Sequence, residues 1–348
     1  MKKMKLRWGV IGAGGIADRR TIPGMMEAEN AELVAVMEVE QSLADSIKEK
    51  YGAKAAYDNA DDLLARDDID AVYIASPVIC HEEAAVKAAE AGKHILIEKP
   101  IALTSAKAQE IIDYCDKKGI KVGAGFMMRF AAYHQLLKGE IKKLGQLTNA
   151  AGQFTCWYPD IEGAWRQIKS LGGGGALMDM GVHLIDLIQY ITGEKIVSVA
   201  AFNDTMTFGY EVEDASAILG KLESGAYVNI NSNFNIPDEA AKWRMEFYGT
   251  GGRIICDETI SQVEGGTVEA LFTGEAKDYD AQQDKKSAGK TVYDVEFGNM
   301  YTKEIESFSD SVLNGKPLES PASEAIYVQK VIEAAYKSSE EKTFVDVI

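Results

Sequence analysis

Cysteine is scarce in this sequence: 348 residues contain only Cys80, Cys115, Cys156 and Cys256. They lie far apart without a C-x-x-C pair, which argues against a disulfide frame or zinc cage and for buried, reduced thiols. Histidine is equally rare, at positions 81, 94, 134 and 183. Basic charge is in deficit, with 37 lysines and arginines against 54 aspartates and glutamates and a net charge of −17. An acidic surface speaks against nucleic acid as a partner and favours solubility. The opening MKKMKLRWGVIGAGGIADRR has the basic start and short apolar stretch of a secretion signal, but glycines break that stretch and Asp18-Arg19-Arg20 follow it. No apolar run reads as long enough to span a bilayer. A cytoplasmic protein without a membrane partner is the expectation. Repeats are missing too, as is low complexity apart from the glycine run 172–175.

What is present is ordinary globular material, 46% hydrophobic and 26% charged, on a chain long enough for two domains. The first third alternates short apolar runs, at Leu6–Ile11, Glu32–Met37, Ala71–Ala75, His94–Ile97 and Lys121–Ala124, with helical patterns at Gly15–Ala28, Ser42–Lys50, Glu82–Ala91 and Ser105–Lys118. Strands this apolar, separated by helices, predict an α/β domain with a doubly wound parallel sheet over 1–124. From about residue 125 the pattern changes to longer strands, at Gln146–Tyr158, Val197–Phe208, Ala215–Leu222, Ala226–Phe234 and Trp243–Tyr248. A second, α+β domain with a largely antiparallel open sheet is expected over 125–348. Within it Asn229, Asn231, Asn233 and Asn235 alternate with Val228, Ile230 and Phe234, so one sheet face is polar and the other lies on the core. Residues 274–291 read as a loop, and two helical patterns flank Asn314-Gly315-Lys316-Pro317 near the end.

The stretch LMDMGVHLIDL, residues 177–187, lies in a helix expected from Ala176 to Ile191, entered from Gly172–Gly175 and closed by Gly193. At about 100° per residue, Asp179, His183 and Asp186 share one stripe of a surface that is otherwise apolar. Such a helix is buried, and buried carboxylates and imidazoles need partners. The bland reading is a hydrogen-bonded network that specifies packing. A metal held by Asp179 and His183 is another reading, disfavoured because the chain offers few further ligands.

After the first strand, Gly12-Ala13-Gly14-Gly15-Ile16-Ala17 fits G-x-G-x-x-[GA]. In that motif the first glycine permits a tight turn, the second lets backbone approach a pyrophosphate, and the small sixth residue allows close helix–strand packing. Gly12, Gly14, Gly15 and Ile16 are therefore candidate cofactor contacts. Glu38, at the end of the second strand, would accept hydrogen bonds from a ribose 2′-hydroxyl and oppose a 2′-phosphate, which favours NAD over NADP. The run GKHILIEKP places Glu98 and Lys99 at the carboxyl end of another strand. Ligands of open α/β sheets sit there, although a local ion pair explains those two residues equally well.

Together, the glycine turn, Glu38, DAVYIASPVICHEEAAVKAAEAGKHILIEKP, FMMRF at 126–130, the Trp165-Arg166 pair and GGGGALMDMGVHLIDL resemble the glucose–fructose oxidoreductase / inositol dehydrogenase (Gfo/Idh/MocA) family over nearly the full length. The resemblance implies an N-terminal Rossmann domain, a C-terminal domain whose open sheet serves oligomerisation, and a nicotinamide cofactor. It implies an active site carried by Lys99, Asp179 and His183. It puts Ser76, Pro77, His81 and Glu98 close to the cofactor, and Arg129, Trp165 and Arg166 in or near the substrate pocket. Val78 stands where relatives usually have asparagine, and Ala131 where proline is common.

Alcohol oxidation needs a hydride taken from carbon and a proton from oxygen. Histidine, with an ordinary pKa of about 6.5, suits the proton step. His183 is accordingly assigned as general base, Asp179 as the substrate-hydroxyl partner, and Lys99 as the cation that polarises the reacting oxygen. Arg129, Arg166, Tyr158 and Tyr301 are further hydrogen-bond candidates. The resulting expectation is an NAD-dependent dehydrogenase or reductase of a polyhydroxylated sugar, cyclitol or derivative, without a metal. Two alternatives stand beside it: a retained NAD cycling within one active site, and a sugar- or NAD-responsive regulatory protein.

Overall fold

The computed structural model describes residues 4–273, 281 and 289–348. Six strands, β1 (Leu6–Ile11), β2 (Ala31–Met37), β3 (Ala55–Tyr57), β4 (Ala71–Ile74), β5 (His94–Glu98) and β6 (Val122–Gly125), form one parallel sheet in the order β3-β2-β1-β4-β5-β6. That is the Rossmann order, with its topological switch between β1 and β4. Nine strands form the second sheet: β7 (Leu147–Thr155), β8 (Ile196–Asp204), β9 (Ala215–Leu222), β10 (Tyr227–Asn233), β11 (Trp243–Gly249), β12 (Gly252–Asp257), β13 (Thr267–Phe272), β14 (Lys290–Tyr293) and β15 (Val345–Asp346). Their order is β14-β13-β12-β11-β7-β10-β9-β8-β15, and among the described residues only the β7–β10 pairing is parallel. The expected α/β architecture is present in both halves.

The chain divides into two compact units. The first comprises 1–130 with 168–173 and 299–329; the second comprises 131–167, 174–298 and 330–348. Residues 299–329 belong to the first unit because the helix Met300–Asn314 supplies its core. Trp8 of β1 is fully buried, 5.2 Å from the Phe308 ring centroid, and its indole N–H donates to Ser309 Oγ at 3.2 Å.

In the second unit, Val228, Ile230 and Phe234 are buried and Asn231 is exposed, as the alternation predicts. The helix Val182–Thr192 lies against β7, where a side chain on Gly152 would meet Leu184 at 2.9 Å. By length and composition alone, Lys169–Thr192 could pass for a membrane span. Yet 83% of its most apolar window is buried inside the protein, as befits a core helix. The loop expected over 274–291 falls mostly outside the described residues, and its last two residues, Lys290 and Thr291, begin β14.

Candidate active site

In the first unit the carboxyl ends of β1, β2, β4 and β5 carry the candidate cofactor residues. Gly12 has φ +79°, and a Cβ there would lie 2.6 Å from the Ser76 backbone nitrogen, so no other residue fits between β1 and β4. The Gly14 N–H donates to Glu38 Oε2 at 2.9 Å, and Val39 N–H donates to Oε1 at 3.0 Å. Glu38 thus stands over the glycine turn, where a ribose hydroxyl is read. Around Gly15 a Cβ would meet nothing within 4 Å, and the buried Ser76 hydroxyl has no hydrogen-bond partner. Open backbone, an orphaned hydroxyl and a carboxylate at the second strand end together fit a dinucleotide.

His81 lies behind that surface, 1% exposed. Its Nε2 faces the Ser76 carbonyl at 2.8 Å, and Nδ1 faces the Pro100 and Ile101 carbonyls at 3.1 and 3.2 Å. It therefore ties the segment after β4 to the segment after β5, and burial pushes its imidazole below the ordinary value. Pro77 precedes the short turn Val78–Cys80, in which Val78 is buried. Glu98 accepts a hydrogen bond from the buried Tyr73 hydroxyl, which in turn accepts one from Thr21 at 3.0 Å. Burial and then Glu98 raise the Tyr73 phenol well above its ordinary pKa. Lys99, half-buried, precedes a cis proline.

In the second unit the LMDMG segment departs from the uniform helix expected. Leu177–Gly181 is a π-helical turn leading into Val182–Thr192, a form concentrated at functional sites. The wider turn breaks the single stripe: Asp179 keeps 34% of its side chain exposed, whereas His183 is 5% and Asp186 1% exposed. Asp179 Oδ1 lies 3.5 Å from Arg166 Nε, and the Arg166 guanidinium lies 4.3 Å from the Trp165 ring centroid. Phe154 meets His183 edge-on at 6.5 Å. Gly181 leaves room for Ser232 of β10, whose Oγ would lie 2.9 Å from a Cβ there.

Tyr158 completes this group. Burial raises its phenol, and Arg166 opposes that by stabilising the phenolate. Cys156 is pushed up to about 12 by burial first and Asp179 next, so it is an inert thiol lining the group. Tyr158, Trp165, Arg166, Asp179 and His183 thus belong to one unit, as Lys99 and the cofactor residues belong to the other.

Two candidates are placed differently. Arg129 is 2% exposed in the first unit, donating to the Glu319 carbonyl at 2.9 Å and to Glu324 Oε2 at 2.5 Å. Tyr301 is buried at the start of the helix Met300–Asn314, 2% exposed. Neither has the exposure expected of a substrate contact. Sequence reasoning missed Phe154, Cys156 and, above all, Glu213, whose signal was the glycine run that faces it.

Residues 6–126 match an oxidoreductase family's NAD-binding Rossmann fold, and residues 138–347 match its C-terminal alpha/beta domain. The D-xylose 1-dehydrogenase (NADP(+)) 2 of Haloferax volcanii is 25% identical over 96% of this chain and 98% of its own. The D-glucoside 3-dehydrogenase of Escherichia coli is 29% identical, spanning 100% of this chain and 99% of its own. The aldose-aldose oxidoreductase of Caulobacter crescentus, solved in complex with glycerol, superposes with a TM-score of 0.87 at 26% identity, over 98% of this chain and 99% of that one. With both domains matched, the chain belongs to the Gfo/Idh/MocA oxidoreductase family and is an NAD(P)-dependent oxidoreductase acting on CH–OH groups.

Proposed function

We propose that this protein oxidises a secondary hydroxyl of a sugar, cyclitol or sugar derivative, or reduces the matching ketone, with NAD preferred over NADP. The observation that carries the substrate class is the Asp179–Arg166 pair beside Tyr158, a half-exposed set of acceptor and donors suited to a ligand with several hydroxyls. Sugar-directed relatives support it. The Glu38 carboxylate on the Gly14 N–H supports NAD, because a 2′-phosphate there would meet a negative charge.

In this reading the bound nicotinamide supplies the hydride acceptor. Asp179 accepts a hydrogen bond from a substrate hydroxyl, and Arg166 and Tyr158 donate to neighbouring ones. His183 takes the hydroxyl proton at an imidazole nitrogen as the carbon–hydrogen bond breaks. The Lys99 ammonium stabilises charge developing on the oxygen. Arg129 and Tyr301 take no part.

A second reading keeps these residues and retains the cofactor between two half-reactions, as the name of the aldose-aldose relative suggests. Purified protein is assayed for bound nicotinamide, then for its reduction by inositols, aldoses and glycosides with and without added NAD or NADP. Turnover that needs added NAD supports the first reading, turnover without it the second. Absence of any sugar-dependent reduction rejects both.

We also assign the open face of the nine-stranded sheet to self-association, since Phe202, Leu219, Tyr227 and Val292 are exposed on it. Sedimentation showing a monomer at assay concentration contradicts that assignment.

A further inference from the structure

Glu213, two residues before β9, is 7% exposed and grips the start of the helical segment that carries Asp179 and His183. Its carbonyl accepts the Ala176 N–H at 3.0 Å. Its carboxylate accepts the Gly175 N–H on both oxygens and the Leu177 N–H on Oε1, each at 3.0 Å. The Tyr336 hydroxyl donates to Oε1 at 2.8 Å. Helix N-termini leave such N–H groups without partners in the chain and favour negative charge. Here a side chain from far along the sequence satisfies them.

The fit leaves no slack. A Cβ on Gly174 would lie 1.9 Å from the Tyr336 hydroxyl oxygen, and one on Gly175 would lie 1.9 Å from the Glu213 carbonyl oxygen. Those two glycines are the imprint of this clamp. The grip passes directly to the reacting residues, because the Gly175 carbonyl accepts the Asp179 N–H at 2.9 Å, and the π-helical turn that aims Asp179 toward Arg166 begins at Leu177.

We propose that Glu213, braced by Tyr336, is a positioning residue: it fixes the first turn of the reacting helix and thereby sets where the Asp179 carboxylate stands. The inference rests on the assignment of Asp179 to substrate binding. Burial raises the Glu213 carboxyl, while the Tyr336 hydroxyl and the N–H groups of Gly175 and Leu177 oppose that rise. A buried carboxyl with so many donors is costly to leave without them.

The test compares Glu213→Gln, Glu213→Leu and Tyr336→Phe by amide hydrogen exchange over residues 174–181 and by steady-state kinetics on a sugar that the wild type oxidises. Glu213→Gln keeps an oxygen for the N–H donors, Glu213→Leu keeps none, and Tyr336→Phe loses only the brace. Glu213→Leu and Tyr336→Phe are expected to speed exchange at Asp179 by about tenfold or more. They are expected to lower kcat by up to about 100-fold, the cost of a displacement on the order of 1 Å, with cofactor affinity unchanged. Glu213→Gln restores both quantities toward wild type.

A role in stability alone lowers the melting temperature, leaves kcat of the folded enzyme intact and overturns the proposal. Should Glu213→Leu fail to fold, Tyr336→Phe decides: wild-type exchange and wild-type kcat in that variant sink the clamp. Should the wild type oxidise no sugar, the proposed reaction falls, and the exchange measurement still decides whether Glu213 holds Asp179.

Discussion

Arg166 and Asp179 form a loose ion pair, Nε to Oδ1 3.5 Å, with 40% and 34% of their side chains exposed. A pair of that length and exposure contributes little to stability, so a ligand that takes over both partners disturbs the fold little. The guanidinium lies over the Trp165 ring, 4.3 Å from its centroid. Arg166→Ala is expected to raise the sugar KM by about 10- to 100-fold, the scale of a hydrogen bond to a charged group, with an unchanged melting temperature. Substrate-dependent cofactor reduction and a thermal melt check the two halves of that statement.

In the proposed reading, Glu38 sets the choice of cofactor. Removing its carboxylate from the Gly14 N–H by Glu38→Ser takes away the acceptor for a ribose 2′-hydroxyl and the repulsion of a 2′-phosphate. The ratio of kcat/KM for NAD over NADP should fall by about tenfold or more, read by titrating each cofactor at saturating sugar. An unchanged ratio removes Glu38 from the cofactor site.

Glu304 is a buried acid, 2% exposed, whose Oε1 has no hydrogen-bond partner. Burial first, and Glu98 next, hold its carboxyl well above the ordinary range. The folded state therefore keeps this proton after the unfolded chain has lost it at about pH 4.3. Below that pH the group costs nothing; above it, stability falls as pH rises toward the folded pKa. Glu304→Gln should raise the melting temperature at neutral pH, with the gain shrinking to nothing near pH 4. A gain independent of pH contradicts this account.

Lys99 is assigned to the reacting oxygen. Lys99→Ala should abolish turnover while the protein stays folded and binds NAD with wild-type affinity, measured by fluorescence titration of the cofactor. A fully active variant takes the lysine out of the reaction.

The parallel sheet was legible because its apolar runs alternate with helical patterns, and three of those runs end at a residue with a chemical reason to be there: Gly12 after β1, Glu38 after β2, Lys99 after β5. The strand β3 escaped because Ala55–Tyr57 is only three residues long and half-exposed throughout. β13 was not singled out, and Lys290 and Thr291 at the start of β14 fell within the loop expected over 274–291; pairing with neighbouring strands supplies their order. The helix around His183 was legible from its apolar circumference, but the π-helical turn was not, because a uniform 100° step conceals one extra residue. Glu213 was invisible for a different reason. Its partners lie 38 and 123 residues away, and a glycine run announces a close approach without naming what approaches.

The most direct measurement is turnover of His183→Ala beside its cofactor binding. The account predicts a rate of sugar oxidation lower by about 10²- to 10⁴-fold, the usual contribution of a positioned general base, with NAD affinity unchanged. Oxidation at the wild-type rate contradicts it.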